Sequence, residues 1–188
     1  PTGPVNLIVN GFDPQTIEPW TSGGTGNSFI LATHGFFYNS QKKMYSLGTS
    51  NTTEVFAWTN IFNLKRNTKY TLRVGLFADW STSSCYIYFM GKPAGGDFSY
   101  QHLRMINDLS DSKVVYYTMT FDSGSFDFGQ FRIDNNGSKT QGTTAALYIC
   151  EVSCIEGEYN NSWTPSFDEL ITEQKFNETK STVDAFSR

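Results

Sequence analysis

Trp58, Arg73, Asp79, Trp80, Tyr86, Tyr88, Arg132 and Asp134 are the side chains of this sequence whose types and spacing could do chemistry. They fall in four short stretches: Phe56-x-Trp58-x-Asn60, Arg73 to Trp80, Tyr86-x-Tyr88, and Arg132-x-Asp134. A flat aromatic ring covers the apolar C–H face of a sugar, and Arg, Asp, Asn or Gln on a neighbouring strand bonds its hydroxyls in fixed directions. Cleaving a glycan asks for more, two carboxyl groups about 5 to 10 Å apart across the scissile bond. A strand would present such a pair as acidic residues at alternate positions, and no alternating stretch carries Glu-x-Asp or Asp-x-Glu. Glu156 and Glu158 have the spacing but flank Gly157 in a turn. His34 and His102 stand outside any His-Glu-x-x-His or Gly-x-Ser-x-Gly pattern, so neither a zinc site nor a serine nucleophile is indicated. The expectation is binding without catalysis.

Each of these side chains also has a plainer reading. Trp58 could equally plug a core. Trp80, before Ser81-Thr82-Ser83-Ser84 at the exit of a strand, reads as a solvent-facing platform. A buried guanidinium needs an acid, so Arg73 either contacts a ligand or pairs with Asp79 or Asp134. Arg132 and Asp134 share that ambiguity. Tyr86 and Tyr88 read as site or as ordinary strand residues, and Phe36-Phe37-Tyr38 beside Gly35 as an exposed rim or a strand.

The elements that must position these residues are strands. Residues 6–12, 28–32, 54–62, 70–80, 84–89, 102–106, 114–121, 131–134 and 145–152 alternate at period two or run short and apolar between Gly, Pro, Asn and Asp turns. In 54–62, Phe56, Trp58 and Asn60 share one face and Val55, Ala57 and Ile61 the other. In 70–80, Tyr70, Leu72, Val74 and Leu76 form the apolar face. No helical pattern precedes residue 167. The fold class is therefore all-β, a jelly-roll β-sandwich of two antiparallel sheets. From Phe167 the spacing of Phe176, Thr179, Val183 and Phe186 suits a short C-terminal helix able to join a coiled coil, or a linker. The expected division is a domain over residues 1–167 and a helical, coiled-coil or linker segment over 168–188.

Composition sets the outer limits. Fourteen basic residues against 18 acidic leave a net charge of −4, which does not suit a phosphate backbone or anionic lipid, so no nucleic-acid partner is expected. No apolar run is long enough to span a bilayer as a helix, and no membrane insertion is expected. Sixteen Phe, 10 Tyr and 4 Trp exceed what one small core needs, so some rings should face water. Cys150 and Cys154, four apart on one strand, are too distant for a disulfide unless the strand breaks between them. With Cys85, they read as buried free thiols made in a reducing compartment. The start, Pro1-Thr2-Gly3-Pro4, reads as a cut from a longer protein at a domain boundary.

Several motifs carry a resemblance. Phe131-Arg132-Ile133-Asp134-Asn135-Asn136-Gly137-Ser138, Leu147 to Glu158 and Asn160-Asn161-Ser162-Trp163-Thr164-Pro165-Ser166 resemble the end of jelly-roll modules in tail and baseplate proteins of phages of Gram-positive bacteria. Asn6 to Phe12, followed by Trp20 to Gly24, resembles the opening strand of carbohydrate-binding modules of families four, nine and twenty-two. The resemblance covers roughly residues 5 to 167. It implies non-catalytic binding of a host cell-wall or capsular polysaccharide during adsorption, in a virion assembled in the bacterial cytoplasm. The partners it implies are that polysaccharide and other baseplate proteins, with a homo-oligomer formed through the C-terminal helix. A structural or protein-docking module without sugar binding is the alternative. It assigns packing roles to Trp20 and Trp163. No cofactor is expected, with a structural calcium ion left as the open alternative. Family members carry an acidic residue after Asn-Gly at a structural calcium site, where this chain has Phe12 and then Asp13.

Overall fold

The structure, a computed structural model, describes residues 5–35 and 42–159. Their strands in chain order are β1 (Thr21–Gly23), β2 (Ser28–Ala32), β3 (Met44–Thr49), β4 (Val55–Trp58), β5 (Phe62–Asn63), β6 (Lys69–Ala78), β7 (Cys85–Lys92), β8 (Ser99–Ile106), β9 (Val115–Asp122), β10 (Phe128–Asn135) and β11 (Ala145–Glu156). They form two antiparallel sheets. The first has the order β1-β4-β10-β7-β8, with β5 beside β10, and the second β2-β3-β11-β6-β9. The anticipated rim at Phe36-Phe37-Tyr38, the packing role of Trp163 and the C-terminal segment 168–188 all lie outside the described residues.

Alternation decides which side of each strand enters the space between the sheets. Ala57, Ile87, Phe89, Phe131 and Ile133 from the first sheet meet Leu47, Leu72, Val74, Leu76, Leu147 and Ile149 from the second in one buried cluster. Fully burying an aliphatic or aromatic side chain of this kind contributes about 1.5 to 3 kcal/mol. The even-numbered residues of β4, β7 and β10 are thereby turned to the outer face of the first sheet.

Strands β10 and β11, consecutive in the chain, belong to different sheets. Buried Asn135 ties them at the crossing. Its Nδ2 donates to the Leu47 carbonyl at 2.9 Å and the Ala145 carbonyl at 3.2 Å, while its Oδ1 accepts from Gly137 N at 2.9 Å. Strand β11 then breaks register against β6 between Cys150 and Ser153, where Glu151 takes a positive φ of 52°. One consequence concerns the thiols. Cys150 lies opposite Gly75 on the outer side, whereas Cys154 points into the core, and Cys85, Cys150 and Cys154 are all buried and free.

Two expectations are corrected. Residues 6–12 form no strand. Asn10 and Asp13 take positive φ values of 55° and 41°, and only isolated backbone bonds, Leu7 N to Cys154 O and Val152 N to Gly11 O, join the segment to β11. A Cβ on Gly11 would stand 1.9 Å from the Val152 carbonyl oxygen, a close approach that needs glycine. Residues 54–62 are not one strand either: the chain leaves β4 after Trp58, and Asn60 turns to hold the N-terminal segment through Val9 N at 2.8 Å and Leu7 O at 3.0 Å. Ile61, expected to share a face with Val55 and Ala57, is 55% exposed while those two are buried.

Candidate functional site

The outer face of the first sheet is built around β10. Arg132 stands between Trp58 on β4 and Tyr88 on β7, and Tyr88 stands next to His102 on β8. The adjacent row is Phe56, Asp134, Tyr86 and Met105, and a third joins Gln130, Met90 and Tyr100. Five of the eight residues singled out from sequence, Trp58, Tyr86, Tyr88, Arg132 and Asp134, thus share one surface.

Arg132 is the hub of this surface. Its guanidinium carbon lies 3.9 Å from the Phe56 ring centroid and 5.9 Å from those of Tyr88 and Tyr100. Its Nε donates to Asp134 Oδ1 at 2.7 Å and its Nη2 to Asp134 Oδ2 at 3.2 Å, with Glu54 Oε1 a further acceptor at 3.5 Å. Such a fork fixes the guanidinium plane in a way that a lysine could not. Asp134 is fully buried, and burial pushes its carboxyl up to about 6 even against the pull of Arg132, with Glu54 adding to the rise. Tyr88 is raised as well, by burial first and then by the charges of Asp134 and Glu54.

The rings pack mainly edge to face. Phe56 meets Trp58 at 4.8 Å and 63°, Tyr88 meets Tyr100 at 6.1 Å and 90°, and His102 meets Tyr86 at 5.1 Å and 70°. Such contacts fix one ring by the edge of another. Gly23 on β1 makes room, because a Cβ there would stand 2.5 Å from Phe56 Cε2. The Trp58 indole N–H is buried with no acceptor among the described residues, an orphan donor on this face. Tyr100, 57% exposed, and Met105, 42% exposed, form the outer margin. Of these contributors, sequence reasoning missed Tyr100, His102 and Glu54. Tyr100 and His102 are two apart in an alternating stretch, a signal that was there to read, but Glu54 precedes its strand and offers none.

Arg73, Asp79 and Trp80 belong to the second sheet and its margin. Arg73 is 3% exposed on the outer side of β6, its guanidinium carbon 4.1 Å from the Tyr116 centroid. The Tyr116 hydroxyl donates to Glu151, which Lys42 approaches to 3.5 Å, so a charged cluster surrounds the β11 irregularity. Asp134 pairs with Arg132 and not with Arg73. Asp79 Oδ2 accepts from Ala146 N at 3.0 Å, which fixes the turn that follows β6. Trp80 is 65% exposed, as a platform would be, but on the sheet opposite Trp58. Trp20 is buried and stacks on Tyr45 at 4.2 Å, a packing residue.

At the position where the resemblance implies a calcium site, the nearby side chains are engaged within the protein. Phe12 packs against Ile155, Asp13 Oδ1 accepts from Lys43 N at 2.7 Å, and Asn10 donates its amide to the Glu18 carbonyl. Calcium takes six or more oxygens, and no cluster of three metal-binding side chains occurs among the described residues.

No protein-family model and no curated protein matches the chain. Solved structures do. The CBM22-1 xylan-binding domain from Paenibacillus barcinonensis Xyn10C is similar with a TM-score of 0.59 at 13% identity, over 85% of this chain and 99% of that one. A family 16 carbohydrate-binding module gives a TM-score of 0.58 at 17% identity, over 80% of this chain and all of that one. The enzymatically active domain of bacteriophage CBA120 tailspike protein 4 gives 0.63 at 10% identity over 81% of this chain, which spans 22% of that structure. At such identities the likeness is one of fold, that of a carbohydrate-binding-module jelly roll.

Proposed function

We propose that the outer face of the β1-β4-β10-β7-β8 sheet holds a polysaccharide chain without cleaving it. The observation that carries this reading is the row Trp58, Arg132, Tyr88, His102, where flat rings alternate with Arg132, already fixed by its hydrogen bonds to Asp134, and with the His102 imidazole. A sugar chain laid across β4, β10, β7 and β8 stacks on the rings and finds donors at Arg132 and His102. The orphan indole N–H of Trp58 gains an acceptor if its ring tilts. One of the solved structures of this fold is a xylan-binding domain, which supports a polysaccharide as the class of ligand. Hydrolysis does not suit the face. Its most enclosed carboxylate, Asp134, is buried with both oxygens engaged by Arg132, so it can neither attack an anomeric carbon nor protonate a glycosidic oxygen.

The setting proposed is a tail or baseplate protein of a phage of Gram-positive bacteria, with the module holding host cell-wall or capsular polysaccharide in concert with other baseplate proteins. The closing motifs of the chain support it, as does the fold likeness to a phage tailspike domain. A shallow sugar site binds weakly after its ordering costs, and many copies on one particle raise the effective strength without new contacts.

A second reading is favoured by the exposed apolar margin of Tyr100 and Met105: the same face docks a protein neighbour in the particle. Labelling of intact host cells by a fluorescent fusion separates the two. Under the sugar reading, labelling is lost on cells stripped of wall polysaccharide and with Trp58→Ala or Tyr88→Ala, while each variant keeps its native circular dichroism spectrum. Folded protein that labels neither intact host cells nor any wall-polysaccharide preparation would overturn sugar binding and direct attention to protein partners.

A further inference from the structure

A pocket lies on the opposite sheet, where the chain leaves β6. It encloses about 150 Å³ and is lined by His34, Phe77, Asp79, Trp80, Asp111 and Tyr148. Phe77 and Tyr148, register partners on β6 and β11, stack at 4.6 Å and 13°, and His34 stands edge-on to both at 5.3 and 5.8 Å. Trp80 adds an indole that is 65% exposed.

The charges of this pocket differ from those of the first face. There, the buried carboxylate is neutralised by Arg132. Here, Asp79 and Asp111 line an aromatic pocket that has no Lys or Arg in its wall among the described residues. Neither takes part in an ion pair among the described residues. Asp79 is held in place by Ala146 N, and its charge reaches the Tyr148 phenol, which is raised by burial first and by Asp79 second. An electron-rich ring face and an uncompensated carboxylate both attract a cation that sheds its water easily. A cavity of about 150 Å³ holds one six-membered ring, so it takes a head group and not a chain.

We propose that this pocket binds a compact organic cation, a protonated amine or methylated ammonium group. In that role Trp80 and Tyr148 cover the cation with their rings, Asp111 supplies charge at the mouth, and Asp79 supplies charge from a fixed position. The site shares no residue with the polysaccharide face and can carry a separate ligand, or an amine-bearing substituent of the same polymer.

The full chain can be titrated by NMR and calorimetry with choline against 3,3-dimethyl-1-butanol, its uncharged isostere, and with glucosamine against glucose at pH 6. At least one cation should bind about tenfold or more tightly than its neutral counterpart, which a cation–π contact reinforced by carboxylates is able to supply. Trp80→Ala and Asp111→Asn should each weaken that binding about fivefold or more; both residues are exposed, so both variants should fold. Trp58→Ala should leave it unchanged, so loss of the sugar site does not count against this one. Cosedimentation with phosphatidylcholine vesicles would support a lipid head group as the source, and binding only of soluble amines a polymer-borne or free one. Equal binding of the neutral isosteres, no binding of either cation, or binding indifferent to both Trp80→Ala and Asp111→Asn would overturn the proposal.

Discussion

Arg132 donates to Asp134 from two nitrogens, at 2.7 and 3.2 Å, and the two residues are only two positions apart on β10. Neighbours at that spacing point to the same side of a strand, so the pair closes within one strand and needs no second element to form. What the rest of the sheet adds is cover: the Phe56 ring against the guanidinium, and burial of the carboxylate.

Removing the cation should be costly. Arg132→Ala leaves Asp134 buried without its partner, a change expected to destabilise by about 3 kcal/mol at neutral pH. Urea denaturation would check this, and Asp134→Asn, which keeps a hydrogen-bond acceptor for the guanidinium, should cost clearly less.

The same carboxyl gives a pH dependence of defined sign. Its folded value of about 6 lies above the ordinary value near 4, so between these the folded state holds more protons than the unfolded state. Its contribution to stability is full below about pH 4 and falls as pH rises through 6, by an amount on the order of 3 kcal/mol. Thermal unfolding from pH 4 to 7 should show this slope in the parent protein and a flatter profile in Asp134→Asn. Arg66 and Asp127 form an exposed pair in which the arginine holds the carboxyl down to about 2, which affects stability only as pH falls below 4.

Gly23 tests the bedding of Phe56. In Gly23→Ala the new methyl group would meet Phe56 Cε2 at 2.5 Å and must push the ring aside. Polysaccharide affinity should fall about three- to tenfold through loss of the Phe56–Arg132 stack. Calorimetric titration checks this, and unchanged affinity would show that the stack does not position Arg132.

Asn135 is expected to be the most sensitive polar residue of the core. Asn135→Ala leaves the Leu47 and Ala145 carbonyls and the Gly137 N–H short of a partner at a buried crossing, at a cost of about 2 to 4 kcal/mol. Chemical denaturation gives the value directly.

The thiols should be inert in the native protein. Burial raises Cys85, Cys150 and Cys154 far above the ordinary thiol value, and β11 places the latter two on opposite sides of the sheet. Iodoacetamide should add no mass to the folded chain and three labels after unfolding, with no Cys150–Cys154 disulfide under mild oxidant.

The strands of the sandwich were largely legible because alternation in β6, β7, β9 and β10 is strong enough to name their core faces. The site was legible in part. Arg73 and Arg132 look alike in sequence, each a lone arginine among alternating apolar residues. Only the strand order, which places β6 between β11 and β9 in one sheet and β10 at the centre of the other, separates a residue over Tyr116 from the hub of the candidate face. Trp58 was ambiguous for a related reason: Phe56-x-Trp58 and Val55-x-Ala57 are both apolar, and the partner strands decide which side is inside. Residues 6–12 misled because a strand-like composition says nothing of the left-handed turns at Asn10 and Asp13. The irregularity in β11 was invisible too, since Glu151 is not a residue that announces a positive φ.

Strand β11, the last of the chain's described strands, occupies the middle of its sheet, between β3 and β6. During synthesis, β3 and β6 emerge about a hundred and about seventy-five residues before the element that joins them. Until then each offers an open edge, and neither can pair with the other without leaving β11 no place. The second sheet therefore cannot close until β11 has been made. A nascent or truncated chain ending before Ala145 presents two unpaired edges, a template for association with other copies.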